Sequence, residues 1–260
     1  MLEPRKSIHY FQVDPAGSQP LDGSTIVETP VSLTVNGDAW VSFMCTPMLL
    51  EAMAVGFLFN EGVITSMQEV ADVRLCEHGD NLDVWLNHPV EKPSGWTRTS
   101  GCSGGVTAVD SIQKPAPISS PDGFALPTRM INRLVGLLTG AQGLYQQTGG
   151  VHTSALSDGE RLLLSADDIG RHNTLDKLAG LCLMQNVFPA RRILLTTGRI
   201  SSEMLQKAVR LGAGMLISRT SPSSLSIELA EKWDITLVGY ARRNAFNVYA
   251  HPERIHASNE

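Results

Sequence analysis

Cys102 stands in Gly101-Cys102-Ser103-Gly104-Gly105, where small neighbours leave the backbone permissive and the sulfur unshielded. A thiol so placed is either a nucleophile working as its thiolate or a loop cysteine of no consequence. The other three cysteines read differently. Cys182 falls on the apolar stripe of a helix with Leu178 and Leu181, while Cys45 and Cys76 sit in strand patterns, so all three are expected as core thiols. No two of the four are spaced as Cys-x-x-Cys, so neither a zinc ribbon nor a thioredoxin-type redox pair is written.

Three further stretches offer anion chemistry. Open α/β sheets bind ligands outside the carboxyl ends of their strands, where helix N-termini present unsatisfied N–H groups. Polar residues gather at such corners in Ala166-Asp167-Asp168-Ile169-Gly170-Arg171-His172, in Thr196-Thr197-Gly198-Arg199-Ile200-Ser201-Ser202-Glu203, and in Gly239-Tyr240-Ala241-Arg242-Arg243-Asn244. Arg171, Arg199 and Arg242 could grip phosphate oxygens bidentately. The competing reading makes Asp168, Ser201 and Glu203 helix caps and leaves the arginines solvated. Neither G-x-x-x-x-G-K-[ST] nor a post-strand G-x-G-x-x-G is present to decide between them. His152 is open between a proton shuttle and a strand residue bonded to backbone.

The elements that must position these residues are legible in outline. Asn36-Gly37 joins two β-branched and aromatic runs, residues 31–35 and 40–45, as a hairpin. A helix follows, capped by Thr46, with Pro47 in its first turn and an apolar stripe ending before Gly62. A second hairpin is expected over residues 73–86. Between residues 92 and 127 the composition shifts to Gly, Ser, Pro and Thr. Beyond it come a helix near residues 128–139 and strands near 151–156 and 161–165. Helices at 173–184, 201–211 and 222–232 then alternate with strands at 192–197, 215–218 and 235–239, which implies a largely parallel sheet layered with helices. The expected organisation is a tail (1–22), a small α+β domain (23–98), a Gly/Pro-rich loop and linker carrying Cys102 (99–122), and an α/β domain (123–260).

Composition limits the partners. The chain has 260 residues, 21 Lys plus Arg against 26 Asp plus Glu, and a formal net charge of −5, which supplies no general attraction for a nucleic-acid backbone. The most apolar run, residues 48–59, is broken by Glu51 and is shorter than the ~20 residues of a membrane-spanning helix. The start has no apolar segment after its basic residues, so the expected location is the cytoplasm, with no membrane partner.

Taken in order, Ala54-Val-Gly-Phe57 with Asn60-Glu-Gly62, Ser100-Gly-Cys-Ser-Gly-Gly105, Thr148-Gly-Gly-Val-His152, Asp168-Ile-Gly-Arg-His172 with Leu175-Asp-Lys-Leu178, Arg199-Ile-Ser-Ser-Glu-Met204 with Gln206-Lys207, and Leu237-Val-Gly-Tyr240 with Tyr249-Ala-His-Pro252 resemble the FdhD family. These are accessory sulfurtransferases required for formate dehydrogenase activity. The resemblance implies a sulfur carrier that takes sulfur from a cysteine desulfurase as a persulfide and passes it to the molybdenum bis(guanine dinucleotide) cofactor before that cofactor enters formate dehydrogenase. It maps the carrier thiol onto Cys102 and a cofactor-binding segment onto Tyr240, Ala241, Arg242, Arg243, Asn244 and Ala245. His152, Asp168, Gly170, Arg171, His172, Arg199, Ser201 and Glu203 complete the expected cofactor site. It also implies a cytidine-deaminase-like three-layer second domain, and a homodimer is expected. The sequence departs from the family at Gly105, where many members carry the second cysteine of Cys-x-x-Cys, which leaves a single-thiol carrier.

Three other functions compete. A zinc-dependent nucleotide deaminase needs H-x-E together with P-C-x-x-C, and the corresponding places read His152-Thr-Ser154 and Gly198-Arg-Ile-Ser-Ser202. No zinc is therefore expected. A non-catalytic molybdenum-cofactor chaperone would use the phosphate corners without Cys102. A guanine-nucleotide-binding protein would take the unmodified nucleotide.

Overall fold

The computed structural model describes residues 3–93, 95, 97–98, 106–107 and 124–257. It opens with an antiparallel ribbon of β1 (Arg5–Asp14) and β2 (Gly17–Ile26). The first 22 residues, expected as a tail, are thus largely strand. The Asp14 carboxylate closes the turn by accepting from the N–H groups of Ala16 (2.8 Å) and Gly17 (3.1 Å). Phe11 and Val13 stay exposed, so the ribbon buries no apolar face along β1.

β3 (Thr29–Val35) and β4 (Asp38–Cys45) form the expected hairpin, with Asn36 and Gly37 both at positive φ, 51° and 90°. α1 (Leu50–Asn60) follows. Its N-cap is Leu49, not Thr46; Thr46 is engaged elsewhere, as described below. β5 (Val70–Leu75) and β6 (Asn81–Leu86) complete a four-stranded sheet in the order β4-β3-β6-β5. Its apolar face covers one side of α1 through Val31, Leu33, Leu82 and Val84. β7 (Thr97–Arg98) and β8 (Val106–Thr107) pair antiparallel on either side of residues 99–105.

The second half begins with β9 (Leu126–Pro127), α2 (Thr128–Ala141) and α3 (Gly143–Thr148). β10 (His152–Ser157) and β11 (Leu162–Asp168) lead to α4 (Arg171–Gln185). Then come β12 (Ile193–Thr196), α5 (Ser202–Arg210), β13 (Met215–Ser218), α6 (Ser224–Trp233), β14 (Thr236–Gly239), β15 (Asn247–Ala250) and β16 (Ile255–His256), the last pairing with β9. The six-stranded sheet runs β11-β10-β12-β13-β14-β15. β11, β12, β13 and β14 run one way and β10 and β15 the other, and only the neighbouring pairs β12–β13 and β13–β14 are parallel, so the sheet is mixed. The reason is connection length: β11 and β15 follow their partners through short links without a helix, which permit only antiparallel pairing.

Alternating side chains build two cores on this sheet. Leu194, Leu216 and Leu237 face α4, α5 and α6, meeting Leu178, Met204 and Leu229. Ile193, Leu195, Met215, Ile217 and Val238 face α2, meeting Ile131, Leu134 and Leu138. The result is an α/β architecture of three layers, with α1 of the smaller sheet packed against α4. Among the described residues no helix is long and apolar enough to cross a membrane.

Candidate functional site

The loop from β11 to α4 is built around a fully buried ion pair. Asp168 Oδ2 accepts from Lys177 Nζ at 2.6 Å and from the Thr46 N–H at 3.0 Å. Oδ1 accepts from the Gly170 N–H at 2.7 Å and from Asn173 Nδ2 at 2.9 Å. Lys177 Nζ also donates to the carbonyls of Thr46 (2.9 Å) and Asp167 (3.2 Å), and Thr46 Oγ1 accepts from the Ile169 N–H at 3.1 Å. This is why Thr46 does not cap α1: its hydroxyl and both its backbone groups join the small sheet to the corner. Asp168 and Gly170 spend these groups on the architecture of the corner, and the N-cap of α4 is Gly170.

At the next corner Ser201 caps α5 as expected, its Oγ accepting from the Met204 N–H at 3.4 Å. His172 Nε2 lies 3.3 Å from Ser201 Oγ and 4.0 Å from the Glu203 carboxylate. Burial, then the positive charges of Lys207 and Arg171, hold His172 well below the usual histidine range. His152 is also lowered, first by burial and then by Arg171. Both rings are accordingly hydrogen-bonding groups at neutral pH, not cations. His152 Nδ1 lies 3.3 Å from Thr197 Oγ1, which also accepts from the Thr153 N–H. Gly198 holds the two corners together: a Cβ there would lie 2.7 Å from Arg171 Cβ.

These corners feed two neighbouring cavities. The first, of about 500 Å³, is lined by His152, Thr197, Arg219, Thr220, Arg242 and Gln142 among others. The second, of about 340 Å³, is lined by Arg171, Arg199, Ser201, Ser221 and Ser223 among others. Residues 219–223 stand between them, with Arg219 and Thr220 on the first and Ser221, Pro222 and Ser223 on the second. His172, Asp168, Gly170 and Glu203 line neither cavity. In the last corner only Arg242 reaches the first cavity. Ala241 is buried, while Tyr240, Arg243, Asn244 and Ala245 are exposed on a turn closed by the Arg242 N–H donating to the Ala245 carbonyl at 2.8 Å. Thr197 belongs to the second polar corner of the sequence, whereas Arg219, Thr220 and Gln142 lie outside all three. Arg219 could have been found, since it follows the end of β13 as Arg199 and Arg242 follow theirs.

Cys102 lies outside the described residues. Cys45 and Cys182 are buried, and burial pushes both thiols up to about 12. Cys76 is not a core thiol: it is half-buried, and its Sγ donates to Asp80 at 2.9 Å. Thr107 of β8 donates to Glu61 Oε2 at 3.0 Å at the end of α1. Among the described residues no group of three or more His, Cys, Asp or Glu side chains is placed to hold a metal ion.

The fold is that of a three-layer α/β protein whose strand ends open into arginine-lined cavities. The chain belongs to the FdhD/NarQ family, whose profile matches residues 26–256. Among similar proteins, the Sulfur carrier protein FdhD of Staphylococcus aureus (strain MRSA252) is 35% identical over 234 residues, covering 88% of each chain. That of Staphylococcus haemolyticus (strain JCSC1435) is 33% identical over 247 residues, covering 90% of each. The crystal structure of a protein proposed as a formate dehydrogenase accessory protein from Desulfotalea psychrophila superposes with a TM-score of 0.84 at 30% identity, covering 98% of this chain and 100% of that one.

Proposed function

We propose that this chain is a sulfur carrier serving formate dehydrogenase, accepting sulfur from a cysteine desulfurase on Cys102 and passing it to the molybdenum bis(guanine dinucleotide) cofactor, its substrate. The observation that carries the reading is the pair of adjacent cavities, each lined by two arginines, at the strand ends of a chain in this family. Two cationic cavities side by side suit a ligand with several phosphates, because guanidinium forks bond phosphate oxygens bidentately. Arg171 and Arg199 bind in one cavity, Arg219 and Arg242 in the other, and the neutral His152 donates or accepts a hydrogen bond beside them.

The sulfur chemistry falls to Cys102. Its thiolate attacks the outer sulfur of the desulfurase persulfide; that S–S bond breaks, the desulfurase thiolate leaves, and Cys102 carries the new persulfide. Releasing the outer sulfur as sulfide consumes two electrons, which a thiol reductant supplies by becoming a disulfide. The raised pKa values of Cys45 and Cys182 suit neither thiol to this attack.

The test is the mass of the protein after incubation with a cysteine desulfurase and cysteine. The tryptic peptide holding Cys102 should gain one sulfur atom under non-reducing conditions. Sulfur found only on Cys45, Cys76 or Cys182 would overturn the assignment.

A further inference from the structure

We infer that Glu61 is a positioning residue for the sulfur-accepting thiol: through Thr107 it fastens the root of the β7–β8 ribbon, from which Cys102 is strung, to the end of α1. This rests on the proposed function and adds to it the group that anchors its nucleophile.

The register pairs Thr97 with Thr107 and Arg98 with Val106, so seven residues join the two strands and Cys102 is the middle one, four positions from either strand end. Four residues span at most ~14 Å, so the place of the root bounds where the sulfur can act. Two strands of two residues each do not hold a place by themselves, because even a longer isolated hairpin is marginal. The root needs an outside anchor.

Thr107 supplies it. Its Oγ1 donates to Glu61 Oε2 at 3.0 Å, and with Thr107 5% and Glu61 9% exposed, water does not compete for the bond. Glu61 is itself well held. It is the C-cap of α1, where its N–H donates to the Phe57 carbonyl at 2.8 Å and the Gly62 N–H donates to the Phe59 carbonyl at 3.0 Å. Arg210 of α5 reaches the same helix end, its Nε donating to the Phe59 carbonyl at 2.9 Å. One residue earlier, Asn60 Nδ2 donates to Asp176 Oδ1 of α4 at 2.7 Å, and Lys207 Nζ of α5 donates to both Asp176 oxygens, at 2.5 and 2.6 Å. Glu61 thus stands at the end of a helix that α4 and α5 both grip.

The nine residues of α5 span ~13 Å. Its N-cap, Ser201, lines the second cavity, while Lys207 and Arg210 in its last turn hold the end of α1. One rigid element therefore ties the root of the ribbon to the frame of the cavities. That suits a thiol that must meet two partners in turn, a protein donor from outside and an acceptor held by this chain. Group transfer can lose about a hundredfold in rate when the reacting atoms are about 1 Å out of place.

The experiment mixes the full chain with excess persulfidated cysteine desulfurase and follows by mass the sulfur gained on the Cys102 peptide, giving a limiting transfer rate and a half-saturating desulfurase concentration. Thr107→Val keeps the shape and removes the donor; Thr107→Ser keeps the donor. Thr107→Val should lower the limiting rate about tenfold or more while leaving the half-saturating concentration within about twofold, and Thr107→Ser should restore the rate. Glu61→Leu should slow transfer as well, and adding Thr107→Val to it should slow transfer no further, because both remove one bond. Iodoacetamide, a small reagent that needs no fixed approach, should alkylate Cys102 at the wild-type rate in every variant. All rates are taken where circular dichroism shows each variant folded. A bond that only stabilises the fold leaves transfer by folded Thr107→Val at the wild-type rate; that result overturns the inference, as does alkylation slowed as much as transfer. Wild-type protein that gains no sulfur on Cys102 removes the proposed function itself, whereas wild-type loading matched by Thr107→Val removes the anchor alone.

Discussion

Gly56 of α1 and Gly180 of α4 cross so closely that neither has room for a methyl group. A Cβ on Gly56 would lie 1.8 Å from the carbonyl oxygen of Asp176, and one on Gly180 would lie 1.8 Å from that of Ala52. The obstacles are backbone atoms, so no side-chain rotation relieves the clash. Gly56→Ala or Gly180→Ala must drive two buried helices apart, opening the cores on both sides. Each should destabilise the protein by about 3 kcal/mol or more. Urea midpoints matching wild type would refute the close approach.

The buried pair Asp168–Lys177 makes a second prediction. Asp168→Asn leaves a lysine charge at 0% exposure without its counter-ion, and Lys177→Met does the same to the carboxylate. Each should cost about 3 to 5 kcal/mol, because an uncompensated buried charge is the main penalty. The double variant should lose clearly less than the two single losses added together. Denaturation of the three variants in a double-mutant cycle measures this, and strict additivity would show that the pair is not coupled.

Thiol reactivity gives the third. With pKa values about 12, Cys45 and Cys182 are thiolate only in strong alkali, so at pH 8 roughly one molecule in ten thousand is reactive at either position. Native protein treated with iodoacetamide at pH 8 should carry no label on these two residues, and denatured protein should carry it on both. Labelling of either in the native state would contradict their burial.

His172 gives the fourth. In the unfolded chain a histidine titrates near 6.5, whereas in the folded chain burial, then Lys207 and Arg171, hold His172 well below that value. As pH falls below about 6.5 the unfolded state therefore binds a proton that the native state refuses, and stability drops. Above about 6.5 both states are neutral and the contribution vanishes. Urea midpoints at pH 7.5 and 5.5 should fall further for wild type than for His172→Gln. Equal falls would mean that His172 is not held neutral.

Much of the fold was readable because local chemistry and burial agree. Asn36-Gly37 turns a hairpin with both residues at positive φ, and Ser201 caps α5 because its side chain matches its place. The β1–β2 ribbon was unreadable for the converse reason: no residue of β1 is buried, so no alternating apolar pattern exists to betray a strand. Strand direction was half-visible, since helices between β12, β13 and β14 force crossovers but say nothing about β11 and β15. At the site, the sequence marked polar corners without telling a ligand-facing group from a buried one. Asp168 and Arg242 look equally polar as letters, yet one is sealed under Thr46 and Lys177 and the other lines a cavity. Arg219 and Gln142 are 77 positions apart, and only folding makes them partners.

The segment 219–223 is a party wall. It is pinned from behind: the Ile200 N–H donates to the Ser221 carbonyl at 3.1 Å, and the Ser223 N–H donates back to Ile200 at 2.9 Å. Ser226 Oγ donates to the same Ile200 carbonyl at 3.1 Å. A wall clamped along its length cannot yield to one room without encroaching on the other. It therefore works as a calliper, setting the gap between the arginines on its two sides. On the proposed function, a molecule filling both rooms would be selected by the span between its negative groups as well as by the charge those groups carry.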